Sequence, residues 1–263
     1  MPASFVLPRH LLRRHPIPIT CHFDHSLVLT WAFPAEVLTP LVPPGLHLDT
    51  YDEHWGFVAV AVVQTRDLRP AFLPDWAGRD YALTGYRIFV THRGPDGRTR
   101  RGLHILRSDT DKRSMKLGGN LLTHYRYRLA GIDITPAGDE KLTVRIGTPG
   151  GEADLDVTAN LASDQAGTPA PLPPGSPFRS QHDARRFAGP LPWTFDYEPE
   201  TGSIVMIRGR RSRWEPRQVA VTVRTCGFLG HDPFSTAEPE LASAFHVAGI
   251  DYSWARGVRV GIS

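Results

Sequence analysis

Tyr86-Arg87-Ile88-Phe89-Val90-Thr91-His92-Arg93 runs into Gly94-Pro95-Asp96-Gly97, and Arg100-Arg101-Gly102-Leu103-His104-Ile105-Leu106-Arg107-Ser108 follows. Two β-branched and aromatic segments around an Asp-Gly turn spell an antiparallel hairpin. Similar runs recur on both sides. Residues 27–33 read as a buried strand, and 34–41 as a short helix opened by proline and stopped by Pro43-Pro44-Gly45. Residues 46–50 and 57–63 read as two strands that a turn at Asp52-Glu53-His54 joins into a hairpin.

Downstream, 109–119 reads as a short helix with Asp109 or Thr110 as its cap and Gly118-Gly119 as its end. Residues 120–132 read as a strand, and 141–147 and 153–159 as two more around Thr148-Pro149-Gly150-Gly151. A short helix is expected within 180–189, strands over 203–214 and 218–229, a helix over 239–249 and a last strand over 251–260. Residues 1–20, rich in Arg, His and Pro, read as an arm, and 21–263 as a single domain. Within it, 162–177 falls to Ala, Pro, Gly and Ser and reads as a loop. Many strands, hairpin turns and few helices predict a mainly β fold, a barrel or a sandwich.

The 263 residues carry 41% hydrophobic and 22% charged side chains, enough for a large core without disulfides. A formal charge of +3 with scattered arginines, and no nucleic-acid-binding motif, argues against a nucleic-acid partner. No apolar run approaches the ~20 residues of a membrane span, and residues 1–20 lack the apolar stretch of a signal peptide. Cys21 and Cys226 lie far apart and read as free thiols of a soluble cytoplasmic protein. No phosphate-binding loop, dinucleotide fingerprint, nucleophile elbow or zincin motif occurs, and no cofactor is implied. Cys21-His22-Phe23-Asp24-His25 holds four possible ligands, but one strand face presents two of them at most. A metal site is therefore not expected.

Lysine is rare, with only Lys112, Lys116 and Lys141 against 27 arginines. Lys116, between Met115 and Leu117 with Lys112 one helical turn earlier, is the candidate nucleophile. Apolar neighbours and a nearby cation both lower an amine's pKa. The plain alternative is a surface lysine near a helix end. Arg87, a charge inside an apolar strand, either clamps an anion in a pocket or faces solvent, and Arg107 on the paired strand poses the same choice. His104, Asn120, His124 and Tyr125 complete the candidate pocket groups.

The order Pro43-x-Gly45-Leu46-x-Leu48-Asp49, Trp55-Gly56-Phe57-Val58-Ala59-Val60, the 86–108 hairpin, Lys116-Leu117-Gly118-Gly119-Asn120 and Thr123-His124-Tyr125-Arg126-Tyr127 carries a resemblance, which continues through 184–190, Trp214-Glu215-Pro216 and Tyr252-Ser253-Trp254. Over roughly residues 20 to 260 the chain resembles a bacterial family of unknown function grouped with acetoacetate decarboxylase. The resemblance implies an antiparallel β-barrel with a few helices and a central pocket. There a lysine would form an imine with a β-keto acid, making the protein a lyase. Of the family's lysine pair only the second, Lys116, is present, with Met115 at the first position. Thr84 and Gly85 stand where the family carries an acidic residue. The expected ligand is a small organic acid. A non-catalytic binding or sensing module is the alternative, a protein devoted to oligomer assembly is a third reading, and a homo-oligomer is compatible with all three.

Overall fold

The computed structural model describes residues 8–162, 170–189, 191–213 and 215–262. In chain order the elements are α1 (Arg9–Leu12), β1 (Ile19–Pro34), α2 (Ala35–Leu38), β2 (His47–Leu48), β3 (Trp55–Pro70), β4 (Arg79–Arg93), β5 (Thr99–Thr110), α3 (Arg113–Leu122), β6 (Tyr127–Leu129), β7 (Gly131–Ala137), β8 (Lys141–Gly147), β9 (Leu155–Asn160), α4 (Gln181–Ala188), β10 (Trp193–Glu198), β11 (Ser203–Arg211), β12 (Arg217–Gln218), β13 (Ala220–Cys226), β14 (Glu240–Trp254) and β15 (Val258–Gly261).

The long strands β14, β1, β3, β4 and β5 pair antiparallel in that order. A single parallel pairing, Thr194 with Leu103, adds β10 to β5, and β11 follows β10 as an antiparallel neighbour. Gly209, Arg210 and Arg211 of β11 then pair with Trp254, Ser253 and Tyr252 of β14. That contact closes seven strands into a ring. A second sheet, β13-β9-β8-β7, lies outside it.

Period-2 alternation decides what each face does. Val58, Val60 and Val62 of β3, Tyr86, Ile88 and Val90 of β4 and Leu27 and Leu29 of β1 point outward. They form one buried cluster with Leu142, Val144, Leu155 and Val157 of the second sheet. Inside the ring, α4 covers one end: Phe178 and Phe187 meet Phe57 and Phe89, with the Phe57 and Phe178 rings stacked at 5.1 Å. Tyr125 and Tyr127 pack with Tyr81, Leu83 and Met115 in a separate cluster beside α3. The described part of the arm is tied down by Arg14, whose Nε and Nη2 donate to the buried Glu198 carboxylate at 2.8 and 2.6 Å.

Several sequence readings need correction. Residues 239–249 form no helix: Glu240–Trp254 is a strand whose register with β1 runs from Glu240 to Trp254. The helix-favouring Glu-Leu-Ala-Ser-Ala lettering yields to that long partner edge, as local propensity commonly does. Residues 120–132 are not one strand, because α3 continues through Gly118-Gly119 to Leu122, and only then do β6 and β7 begin. Gly119 does not end the helix. A Cβ there would lie 2.5 Å from the Tyr127 ring, so its bareness serves close approach. The residue capping α3 is Lys112, without a side-chain cap; Asp109 and Thr110 are buried at the end of β5. The proposed hairpin of 46–50 with 57–63 also fails: β2 pairs with β4, while both edges of β3 are held by β1 and β4. Strand β10 had no reading from the sequence, and residues 163–169 of the 162–177 loop lie outside the described residues.

The inter-sheet cluster predicts a clear contrast in denaturant unfolding. Leu142→Ala, at a fully buried position, should cost about 2–5 kcal/mol. Leu121→Ala, 52% exposed on α3, should change stability by no more than about 0.5 kcal/mol.

Candidate functional site

Where the ring strands face inward, several of their side chains are small. β3 contributes Ala59 and Ala61, β4 Gly85, β1 Ser26 and β5 Ser108, and the space they leave is a cavity of about 100 Å³. The same strands carry Val58, Val60, Val62 and Tyr86 on the outer face. The hollow therefore follows from side-chain size on one face. Its wall is mostly apolar, with a few polar groups, as small-molecule sites usually are.

Arg87 is the first of those groups. A Cβ on Gly85 would sit 2.8 Å from Arg87 Nε and 2.9 Å from its Nη2, so the guanidinium folds back over the bare stretch of its own strand. Arg87 Nε is buried with no hydrogen-bond partner, and among the described residues Arg87 forms no ion pair. The Tyr125 hydroxyl and Thr84 Oγ1 also line the cavity, buried and unpartnered. Each such polar group costs about 1–3 kcal/mol until something satisfies it. Burial pushes the Tyr125 phenol well above its usual pKa; the Asp196 carboxyl adds to this and Arg87 opposes it. The phenol is thus a donor.

Of the residues singled out in the sequence, Arg87 and Tyr125 meet in this cavity and the others do not. Arg107 is turned away by a bulge: Tyr86 pairs with Arg107 but Arg87 pairs with Ile105, leaving Leu106 without a partner position. Past the bulge Ser108 faces inward. Arg107 instead donates from Nε to Asp109 at 3.0 Å and from Nη1 to Glu152 at 2.8 Å. A second bulge at Asp24 makes both Phe23 and Ser26 inward residues. His104 places Nδ1 2.9 Å from the Phe195 carbonyl and seals the β5–β10 joint. His124 Nε2 lies 3.8 Å from the Glu198 carboxylate.

Asn120 acts on the site at one remove. Its Nδ2 donates to the Tyr127 carbonyl at 2.9 Å, and the Tyr127 N–H donates to its Oδ1 at 2.6 Å. This clamp, with Arg126 held at φ +54° between the two tyrosines, sets both phenol rings into the wall. Lys116 is exposed on α3, Lys112 donates from Nζ to the Asp80 carbonyl at 2.6 Å, and Lys141 is exposed on β8. Among the described residues no lysine lines the cavity. His25, from the cluster near Cys21, has Nδ1 3.1 Å from Nε2 of His246, and no group of three or more metal-ligating residues occurs among the described residues. Sequence reasoning missed Arg211 and Tyr252, which also line the cavity. A signal was present: Gly209-Arg210-Arg211 repeats the glycine-then-arginine spacing of Gly85-Tyr86-Arg87.

The profile of the DUF2071 family, described as an uncharacterized conserved protein, matches residues 20–249. No curated protein matches the chain. Among solved structures, acetoacetate decarboxylase from Legionella pneumophila is 14% identical with a TM-score of 0.63, over 99% of this chain and 92% of that one. An acetoacetate decarboxylase-like enzyme from Sphingomonas wittichii is 17% identical with a TM-score of 0.53, over 98% and 96%. The enduracididine biosynthesis enzyme MppR, complexed with the condensation product of pyruvate and imidazole 4-carboxaldehyde, is 12% identical with a TM-score of 0.58, over 94% and 90%. At these identities the likeness is one of fold, and it confirms the mainly β, acetoacetate-decarboxylase-like architecture.

Asp196 on β10 shares a strand face with Thr194, which lines the cavity; Asp196 itself is buried, with Oδ2 unpartnered. Burial pushes its carboxyl up to about 7, against the pull of the Arg126 guanidinium. A carboxyl raised in the folded state holds a proton that the unfolded chain has lost between about pH 4 and 7. Stability on this account falls as pH rises through that window, by a few kcal/mol in order of magnitude. His15, whose pKa burial lowers to about 4, works in the opposite direction over a similar range, so a difference between variants isolates Asp196. Asp196→Asn should gain stability relative to the unsubstituted protein as pH rises from 4.5 to 8, measured by urea unfolding. A difference that stays flat with pH would contradict the assignment.

Proposed function

The chain belongs to the DUF2071 family of uncharacterized conserved proteins, and from that footing we propose that its ring cavity binds a small organic acid. The Arg87 guanidinium receives the carboxylate, and the apolar wall takes the hydrocarbon body. The observation that carries this reading is the buried, unpartnered Arg87 Nε in a cavity whose other idle groups, Thr84 Oγ1 and the Tyr125 hydroxyl, are also hydrogen-bond donors. A guanidinium N–H that can only donate, beside two hydroxyls that can turn to donate, suits an acceptor-rich, negatively charged guest, and a carboxylate on a guanidinium forms strong, charge-assisted hydrogen bonds. The MppR neighbour, complexed with a product built from pyruvate, lends the same fold a precedent for such guests.

The reading does not run through a lysine imine. An imine needs an amine in the cavity, and all three lysines of this chain are exposed. Tyr125 and Thr84 orient the acid by donating to it, Asn120 keeps Tyr127 in the wall, and the ring excludes bulk water from the carboxylate's body.

Titration calorimetry with short-chain carboxylic acids tests the proposal. Arg87→Gln should weaken binding about 10- to 100-fold, the value of one charge-assisted hydrogen bond, while Lys116→Ala should leave it unchanged. Borohydride reduction in the presence of β-keto acids should leave every lysine unmodified. A stable adduct on Lys116, or full affinity in Arg87→Gln, would refute the reading.

A further inference from the structure

Two aromatic banks line the cavity. On β1 and β14 the side chains of Phe23 and Tyr252 stack with centroids 4.7 Å apart and planes 11° from parallel, and Trp254 leans on Tyr252 at 4.7 Å. In the bend after α3 and at the start of β6, Tyr125 and Tyr127 meet edge to face at 6.2 Å. All five side chains belong to the cavity wall. Among the described residues no aromatic contact joins one bank to the other, so the two stand apart.

The strands between the banks form a low floor. Tyr127 pairs with Ser108 of β5, and from β5 the strand order runs through β4 and β3 to β1. Across these four strands Val28, Ala61, Gly85 and Ser108 stand in one lateral row, and all four face the cavity. Three interstrand steps make that row about 14 Å wide, and three of its four members are Ala, Gly and Ser. The Arg87 guanidinium lies over Gly85, in the middle of it. Burial raises the pKa of Tyr125, Tyr127 and Tyr252, and the Arg87 charge opposes that rise in each, so the cation reaches both banks. The phenols stay neutral and do not repel an anion. The result is a slot with aromatic walls and a guanidinium on its floor. Apolar cavities of about 150 Å³ hold benzene, and this hollow, at about 100 Å³, is of that order. A flat aromatic guest gains attraction from faces and edges at about 4.5–7 Å beyond its burial, which a puckered saturated one does not.

We infer that the guest is a planar aromatic carboxylic acid of a single six-membered or smaller cycle, its carboxylate on Arg87 and its flat body between Phe23, Tyr252 and Trp254 on one side and Tyr125 and Tyr127 on the other. This names the substrate class of the organic-acid reading and rests on it.

The test is titration calorimetry of the full chain with benzoate, cyclohexanecarboxylate and butyrate. The two cyclic acids are close in size, and the saturated one is the more hydrophobic, so plain burial favours cyclohexanecarboxylate. The unsubstituted protein should instead bind benzoate about fivefold or more tightly. Proton NMR of the complex should show nuclear Overhauser contacts from the benzoate protons to aromatic protons of both banks. Phe23→Leu and Tyr127→Leu, one from each bank, should each cut the benzoate preference to about twofold or less; where a variant fails to fold, the NMR contacts decide. Equal or reversed affinities for the two cyclic acids, a preference that survives both leucine variants, contacts to one bank alone, or Arg87-dependent binding of butyrate without binding of either cyclic acid would overturn the inference and leave the organic-acid reading standing. No binding of any acid, or binding indifferent to Arg87→Gln, would remove both.

Discussion

The molecule depends on an asymmetry between the two faces of β3 and β4. Outward, Val58, Val60, Val62, Tyr86 and Ile88 are bulky and sit under the second sheet; inward, Ala59, Ala61 and Gly85 are not. Apolar burial favours the outer contact at roughly 25 cal/mol per Å². The small inner residues cannot fill a ring that seven strands hold open. The cavity is thus a by-product of good burial elsewhere, and Arg87 resides there because Gly85 leaves space for its guanidinium.

Local alternation alone does not say which residues enter the ring. Strict alternation from Leu103 and Ile105 would send Arg107 inward; the bulge at Leu106 substitutes Ser108 and frees Arg107 to pair with Asp109 and Glu152. The result is one arginine fewer in the lumen and a buried ion pair at the edge of the second sheet. Arg87 lies before the bulge and keeps its inward direction.

This explains what the sequence revealed and what it hid. The 86–108 hairpin, the mainly β class and the acetoacetate-decarboxylase-like architecture were readable, because turn chemistry and alternation are local. Arg87 was legible as a charge inside an apolar strand; Tyr125 reads as a pocket group when 120–132 is taken as one strand, whereas it lies in the bend between α3 and β6. The course of Glu240–Trp254 was not, because its letters favour a helix and only the edge of β1 makes it a strand. The position of Lys116 was hidden too: α3 runs on through two glycines, and the register of that helix leaves the amine in solvent. Bulges such as that at Leu106 arise from pairing between strands and leave no mark in either strand alone. Family likeness pointed to an imine-forming lysine, while the lumen offers guanidiniums and phenols instead. A shared fold with acetoacetate decarboxylase is a likeness of fold and does not by itself carry a chemistry.

The central claim is that Arg87 presents an idle, buried Nε–H inside the ring cavity. The most direct measurement is the ¹H–¹⁵N spectrum of the arginine Nε groups, with the Arg87 signal assigned by substitution, recorded while a short carboxylic acid is added. The account predicts a slowly exchanging Arg87 Nε proton whose resonance moves and saturates with the acid, while those of Arg208 and Arg210 stay in place. An Arg87 signal that exchanges as fast as those exposed arginines, or that ignores the acid while other resonances respond, would contradict it.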